Sequence, residues 1–409
     1  MNFIVKDSIK ILLFRVISFL ISSINVILVG KIFGSVGEGV YSLIASSFTI
    51  IAQVAALGLD QYLIVYYNKK DEISQKIFNF IVAIHIFIIT PLFYLGFLFY
   101  FKDLNIWGKF FLIFGVISNS IVNFSYFYYI MFFKVSEFIK IGILRSSLFL
   151  FFLFGFLIFD ISQDYIGFFY SLSWVVIASI LMYDIFKNNH IKFYFNYKKI
   201  KEVWQNVLKY SLGIFFASFF YIVMIRESLF IAHKVVGLSA TGVLFVILTT
   251  AEILWYLPSA FGDILLRELS NNQDEYLIFK NYHKKIFWIM SFLAILSIIP
   301  YKIIVDYILR EEFRGTTYLY IILLPSIVFL GISRFYSVFF LVKNKTYYST
   351  ISTFFSMVLN FILSYILVFK YKIEGIVISI TISYMFSVLI DFIFLKRYLS
   401  YKQILKLFI

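Results

Sequence analysis

Residues 39–59 read GVYSLIASSFTIIAQVAALGL, a run of 21 residues without a charged side chain. A helix of about 20 apolar residues crosses the roughly 30 Å of hydrocarbon in a bilayer. Runs of this kind recur along the chain, separated by short polar joints such as Lys134–Glu137 and Lys370–Glu374. Because the runs are continuous rather than alternating, they predict membrane helices and not the strands of a membrane barrel.

The composition excludes several classes of protein. Hydrophobic residues make up 62% of the chain and charged residues 14%, whereas soluble domains carry about 25% charged residues. The net charge of +14 does not predict a nucleic-acid partner, since the basic residues lie between apolar runs, where they set topology. Cysteine is absent, no phosphate-binding loop is present, and the four histidines fit no metal-ligand spacing. We therefore predict no metal, no cofactor and no enzymatic activity.

The apolar runs predict an all-α, polytopic membrane protein of about twelve transmembrane helices. If the N-terminus is cytoplasmic, most lysines and arginines fall in joints on the cytoplasmic side, so both termini are predicted to lie inside. We place the spans at 11–30, 38–58, 77–100, 108–131, 141–159, 165–186, 210–232, 240–262, 286–306, 317–341, 348–369 and 375–395.

The chain contains an internal repeat. Residues 31–72 align without a gap on residues 234–275, and nine positions are identical, Gly34/Gly237 and Gly39/Gly242 among them. Six spans per copy orient both copies alike, which places a substrate site between two lobes. We predict two parallel six-helix lobes around a central cavity: an N-terminal lobe at 1–190, a basic cytoplasmic linker at 191–208 and a C-terminal lobe at 209–409.

Ionisable residues inside spans are costly and suggest function. Asparagines accompany them in polar stripes at helical spacing. Asparagine side chains can hydrogen-bond to sugar hydroxyls, and arginine can hydrogen-bond to phosphate oxygens. Interhelical packing is the alternative for the stripes. The predicted substrate-binding residues are Arg15, Asn25, Asn119, Asn123, Arg145, Arg226, Arg334 and Asn360. Glu227 and Glu252, the carboxylates nearest the middle of spans, are the predicted coupling-ion residues.

Three segments carry a resemblance to a known family. They are IFGSVGEGVYSLIASSFTIIAQVAALGLDQYLI (32–64), RESLFIAHKVVGLSATGVLFVILTTAEILWYLPSAFGD (226–263) and LREEFRGTTYLYIILLPSIVF (309–329). The chain resembles the bacterial polysaccharide (O-antigen repeat-unit) flippases. These belong to the multidrug/oligosaccharidyl-lipid/polysaccharide exporter superfamily, which also holds multidrug extruders and the peptidoglycan-precursor flippase.

The resemblance implies a function by alternating access. An undecaprenyl-pyrophosphate-linked oligosaccharide would move from the inner to the outer leaflet of the bacterial cytoplasmic (inner) membrane, in lipopolysaccharide or related polysaccharide biosynthesis. The implied partners are this substrate, membrane lipids and other polysaccharide-assembly proteins. A multidrug extruder of the same superfamily is the first alternative, although its cationic drugs would favour acidic groups. An O-antigen polymerase, a membrane glycosyltransferase, is the second.

Overall fold

A computed structural model describes residues 2–59, 72–97, 106–131, 135–159, 161–187, 197–255, 275–343 and 345–399. It also describes the isolated residues 194, 257, 258, 261, 262, 265, 269 and 403. These ranges contain helices and no strand, which confirms the all-α prediction.

Eleven α-helices, named here in chain order, form the described part of the chain. They are α1 Asn2–Ala56, α2 Glu72–Ile84, α3 Thr90–Phe97, α4 Ile106–Met131, α5 Val135–Phe159, α6 Ile166–Lys187, α7 Tyr197–Val235, α8 Leu238–Glu252, α9 Glu275–Ile303, α10 Thr317–Val342 and α11 Tyr347–Leu395. The π-helical turns His85–Ile89 and Ile304–Ile308 follow α2 and α9, and the 3₁₀ turn Glu311–Phe313 precedes α10.

Nine helical segments in these ranges are long and apolar enough to cross a membrane, and Phe111–Tyr126 is a shorter apolar helix. Two of the nine, Leu20–Ala56 and Tyr347–Leu395, are each long enough for two crossings. Each predicted span overlaps one of these segments, and the spans at 77–100 and 240–262 continue into residues outside the described ranges. Large apolar side chains on their outer faces remain exposed, for example Ile158 and Phe159 at 74% each, as a lipid-facing surface requires.

Each of these two long helices is broken at one residue. In α1 the break is Gly34, with φ 71° and ψ −166°. In α11 it is Lys372, with φ 47° and ψ −128°. Gly237, the repeat partner of Gly34, joins α7 to α8 and also has a positive φ of 116°. Glycine reaches this region without a Cβ penalty, so both copies of the repeat turn at the same point.

The chain forms two compact units. Unit 1 consists of Met1–Asn25 and Leu43–Ile222, and unit 2 of Val26–Ser42 and Val223–Ile409. The boundaries of these units differ from the predicted boundaries at 190 and 209 in two respects. Unit 1 extends to Ile222, and Val26–Ser42 from the N-terminal half packs in unit 2. Part of the predicted linker lies outside the described residues, and from Tyr197 onward it is helix α7.

Candidate functional site

A bidentate ion pair joins α7 to α8 inside unit 2. The Arg226 guanidinium donates from Nη1 to Oε1 of Glu252 at 3.0 Å and from Nη2 to Oε2 at 2.9 Å. Their side chains are only 20% and 13% exposed. A planar guanidinium matches a carboxylate with two parallel hydrogen bonds, and would match a phosphate in the same way. Both predicted ionisable groups therefore neutralise each other in this state of the protein.

Asn360 on α11 contacts α7 close to Arg226. Its Nδ2 donates to the Met224 carbonyl at 3.1 Å and to Ser228 Oγ at 3.0 Å. Its Oδ1 accepts from Ser364 at 3.2 Å. The amide also contacts the carboxyl of Glu227, whose Oε1 is buried without a hydrogen-bond partner among the described residues. Four of the predicted residues, Arg226, Glu227, Glu252 and Asn360, are thus brought together on α7, α8 and α11.

The predicted asparagines of unit 1 make contacts between helices. Asn25 donates from Nδ2 to the Ser146 carbonyl at 3.0 Å, and Asn119 donates to the Phe48 carbonyl at 3.0 Å. Both side chains are buried, at 3% and 4% exposure. Asn123 is half-buried on α4. These contacts fit the packing alternative for Asn25 and Asn119, because polar side chains join helices in membranes in this way.

The remaining predicted arginines lie in three different settings. Arg145 on α5 stacks over the Trp174 ring, with 4.3 Å from its guanidinium carbon to the ring centroid, and donates to Ser146 Oγ at 3.2 Å. Arg334 on α10 is exposed, and its side chain lies near Gly262. Arg15 lies on α1, but its side chain is outside the described part of the structure. A single cavity lined by Arg15, Arg226 and Arg334 stays a prediction.

Two charged residues hold the break in α1. Glu312 accepts from the Ser35 backbone N–H at 2.6 Å and from Ser35 Oγ at 2.5 Å. Arg310 donates to the carbonyls of Lys31, at 3.1 Å, and Ile32. The anion thus meets the start of the second half of α1 and the cation meets the end of its first half, which suits both helix dipoles. We call Arg310 and Glu312 the clamp.

The clamp changes the acidity of Glu312. Hydrogen bonds from the Ser35 hydroxyl and backbone, with a smaller effect of Arg310, hold the pKa of the Glu312 carboxyl below its usual value of 4.5. Ser35 Oγ is also 2.6 Å from Ser239 Oγ on α8. Because the charged form of Glu312 is the one that accepts from Ser35, the clamp is an ionised contact at neutral pH.

Sequence analysis missed two buried carboxylates. Glu38 is 0% exposed, and neither carboxyl oxygen has a hydrogen-bond partner among the described residues. Asp391 is 1% exposed near the end of α11. Both lie toward the end of a span, where an acid looks like part of a polar joint. The four-residue spacing of Ser379, Ser383, Ser387 and Asp391 is a signal that could have identified Asp391 as buried.

Solved structures supply the comparison that decides the fold. An inward-facing multidrug resistance MATE family transporter of the MOP superfamily superposes with a TM-score of 0.70 at 13% identity, covering 96% of this chain and 95% of that one. The lipid II flippase MurJ in an inward closed conformation also gives 0.70, at 18% identity, covering 97% and 89%. This chain has the MOP transporter fold. No family model and no curated protein matches the sequence.

Another MOP transporter, from Pyrococcus furiosus, is described as having a binding pocket of reversed polarity that suggests a different function. It superposes with a TM-score of 0.58 at 13% identity, covering 98% of this chain and 95% of that one. At such identities the likeness establishes the fold and not the substrate. The two structures superposed first are described as a transporter and a flippase.

Proposed function

We propose that this multi-pass membrane protein is a flippase for an undecaprenyl-pyrophosphate-linked oligosaccharide, an O-antigen or similar surface polysaccharide repeat unit. The substrate would move from the inner to the outer leaflet of the bacterial inner membrane by alternating access, with both termini of the protein in the cytoplasm. The bidentate Arg226–Glu252 pair is the observation that carries the proposal. An arginine fork in this position would also suit two oxygens of a phosphate.

Glu252 occupies the position on Arg226 that a phosphate would take. A pyrophosphate carries about two negative charges and offers the same paired oxygens as a carboxylate. When the head group takes the arginine, Glu252 loses its partner and needs another positive charge, because an unpaired ion within a span is costly. A proton or Na⁺ on Glu252 or the neighbouring Glu227 would supply that charge. Return of Glu252 to Arg226 would then release the head group and reset the carrier.

The arginines of the spans support an anionic substrate. Of the ionisable residues predicted inside spans, four are arginines and two are acids; the buried Glu38 and Asp391 bring the acids to four, and one arginine is offset by Glu252. The sugar hydroxyls would be bound by the amides and hydroxyls that remain accessible, while the lipid tail stays in the bilayer. Membrane lipids and other polysaccharide-assembly proteins are the further partners of this proposal.

A multidrug extruder is the second candidate. It is supported by the superposition on a multidrug resistance MATE transporter over 96% of this chain and by the buried Glu227 carboxyl, whose Oε1 has no partner among the described residues. A cationic drug would take that carboxylate as its counter-charge. In this case Glu227 would be the substrate residue, and the Arg226–Glu252 pair would only hold α7 against α8.

Transport by the purified protein in liposomes separates the two candidates. The test offers a fluorescent polyprenyl-pyrophosphate oligosaccharide, the same glycan on a polyprenol without pyrophosphate, and a fluorescent lipophilic cation. We expect movement of the pyrophosphate lipid alone, with protein-free liposomes as background. Transport of the cation without the pyrophosphate lipid would favour the extruder. Equal transport of both glycolipids would overturn the role of the arginine.

A further inference from the structure

Asp391 is a buried carboxylate that the proposed transport does not use. It lies near the end of α11, where its side chain is 1% exposed. Ser333 on α10 donates from Oγ to Asp391 Oδ2 at 2.5 Å. The other oxygen, Oδ1, is buried and has no hydrogen-bond partner in the described part of the chain. Half of the carboxylate therefore lies in the protein interior without compensation.

Ser352 and Ser387, from the two halves of α11, bring hydroxyl oxygens close to this carboxylate. Ser352, from the first half, contacts the Asp391 carboxyl. Its Oγ also donates to the Ser387 carbonyl at 2.8 Å and lies 2.9 Å from Ser387 Oγ. Ser352 and Ser387 are both 0% exposed. Asp391, Ser333, Ser352 and Ser387 thus place carboxyl, hydroxyl and carbonyl oxygens within one small volume.

No basic side chain neutralises Asp391 within the described residues, where Arg226–Glu252 and Arg314–Glu311 are the ion pairs. Tyr336 on α10 interacts with Asp391 electrostatically, and His283 on α9 places its Nε2 3.1 Å from Tyr336 Oη. Tyrosine supplies no positive charge, and the Nε2 of His283 contacts Tyr336. The counter-charge of Asp391 must therefore come from outside these side chains.

A simple serine contact between helices does not account for the arrangement. Serines in membrane helices commonly bond to their own backbone four residues earlier, as Ser379 does with the Gly375 carbonyl at 2.7 Å. Ser352 instead reaches across to Ser387. An added proton would occupy only one carboxyl oxygen. A bare cation can be shared among all the oxygens.

We propose that Asp391, Ser333, Ser352 and Ser387 form a binding site for a monovalent alkali cation. Oxygen ligands select hard cations. One carboxylate balances one positive charge, so a divalent ion would leave excess charge in a buried site. A transition-metal site is not indicated, since no group of three or more His, Cys, Asp or Glu in the described ranges could hold one. The bound cation would tie α10 to both halves of α11, independently of the transported substrate.

Thermal unfolding of the purified protein in detergent tests the site. The midpoint is measured in NaCl, in KCl and in choline chloride at equal ionic strength, at pH 6 and pH 8. We expect Na⁺ or K⁺ to raise the wild-type midpoint by at least about 2 °C over choline. Asp391→Asn should abolish the response and be at least as stable as wild type in choline, because it lacks the uncompensated charge.

Ser352→Ala is the second variant, in case Asp391→Asn does not fold. It removes one oxygen and should weaken the apparent cation affinity about tenfold or more. Asp184→Asn is the matched control, since Asp184 is an aspartate with a hydroxyl donor, Tyr129, in unit 1; its cation response should equal that of wild type. A wild-type midpoint equal in all three salts overturns the proposal. The proposal is also overturned if the wild-type midpoint depends on pH but not on the cation, and Asp391→Asn removes that pH dependence. This result would show that the site takes a proton.

Discussion

Gly39 and Gly242, which are 203 positions apart in the chain, each lie against the backbone of the other's repeat copy. A Cβ at Gly39 would be 2.2 Å from the Leu238 carbonyl oxygen, and one at Gly242 would be 2.0 Å from the Ser35 carbonyl oxygen. Ser35 and Leu238 are themselves equivalent in the repeat. The contact is therefore reciprocal, as at an interface between identical subunits, and leaves no room for a methyl group on either side.

Replacing Gly242 by alanine tests this contact. Because the added methyl would meet backbone and not a flexible side chain, we expect the free energy of unfolding to fall by about 1–3 kcal/mol or more. Chemical or thermal unfolding in detergent measures the change. Gly213→Ala is the matched control, since nothing lies within 4 Å of its added Cβ. Equal effects of the two substitutions would show that the close approach is not a constraint.

A disulfide between positions 35 and 239 tests whether this contact opens during transport. The two hydroxyl oxygens are 2.6 Å apart, and the chain has no cysteine of its own, so Ser35→Cys/Ser239→Cys should cross-link cleanly under oxidant. The proposed alternating access would require one end of the protein to open. We expect transport in liposomes to fall at least about tenfold on oxidation and to return on reduction.

Thr90→Cys/Ser120→Cys is the control for this cross-link. The side-chain oxygens of Thr90 and Ser120 are 3.2 Å apart, and both residues belong to unit 1. This pair should cross-link without loss of transport, because it joins α3 to α4 within the N-terminal half of the chain, whereas the 35–239 pair joins the two copies of the repeat. Full transport by the oxidised 35–239 protein would contradict the requirement for opening at this point.

The clamp predicts a dependence of stability on acid pH. Since hydrogen bonds from Ser35 lower the pKa of Glu312 from 4.5, its contribution is fully present above about that pH and decreases as the pH falls through the lowered value. Glu312→Gln should thus be less stable than wild type at pH 6, with a difference that shrinks toward pH 3. Thermal unfolding across this range measures it. Glu311→Gln, on the exposed side of the same turn, should show no such convergence.

Arg226 variants test the anion-binding role. Arg226→Ala should abolish movement of the pyrophosphate lipid, while Arg226→Lys should retain a fraction, because lysine keeps the charge but loses the two-pronged donor. Arg314→Ala is the matched control: Arg314 pairs with Glu311 at the same 2.9 Å, but on an exposed turn. Normal transport by an Arg226→Ala protein that inserts normally would refute the role.

The same assay tests coupling through Glu252. Glu252→Gln keeps the shape of the side chain and removes its charge, so transport should no longer respond to proton or Na⁺ gradients. Liposomes with imposed gradients of each ion measure the response. If Glu252→Gln responds to the gradients as the wild type does, the ion pair only fixes α7 to α8. Glu227 would then be the remaining coupling residue.

The helices were predictable because hydrocarbon thickness imposes one length on every span. The repeat also identified Gly34 and Gly237 as equivalent, and both have a positive φ in the structure. Which charged side chains pair with each other was harder to predict from the sequence. The sequence placed Arg226 beside Glu227, but the carboxylate that pairs with it is Glu252, 26 residues away, because neighbouring residues on a helix point about 100° apart.

Buried acids at span ends could not be told from acids of the joints. Glu38 directly precedes the apolar run 39–59, and Asp391 lies five residues before the basic pair Lys396 and Arg397. Hydropathy assigns both to the interface with water. The packing of Val26–Ser42 within unit 2 and of α10 against α11 removes them from solvent. The serine spacing before Asp391 is a signal of its burial, whereas Glu38 has no such pattern around it.

The assignment of Val26–Ser42 to unit 2 has a practical consequence for split versions of this protein. A cut in the basic segment after residue 190 would give two polypeptides of similar length, but the C-terminal one would lack the strip that covers Gly242 and receives the clamp. It should therefore misassemble when synthesised alone. Co-expression of an N-terminal fragment that contains residues 26–42 should restore its assembly. The C-terminal fragment would therefore need the N-terminal fragment in order to fold in the membrane.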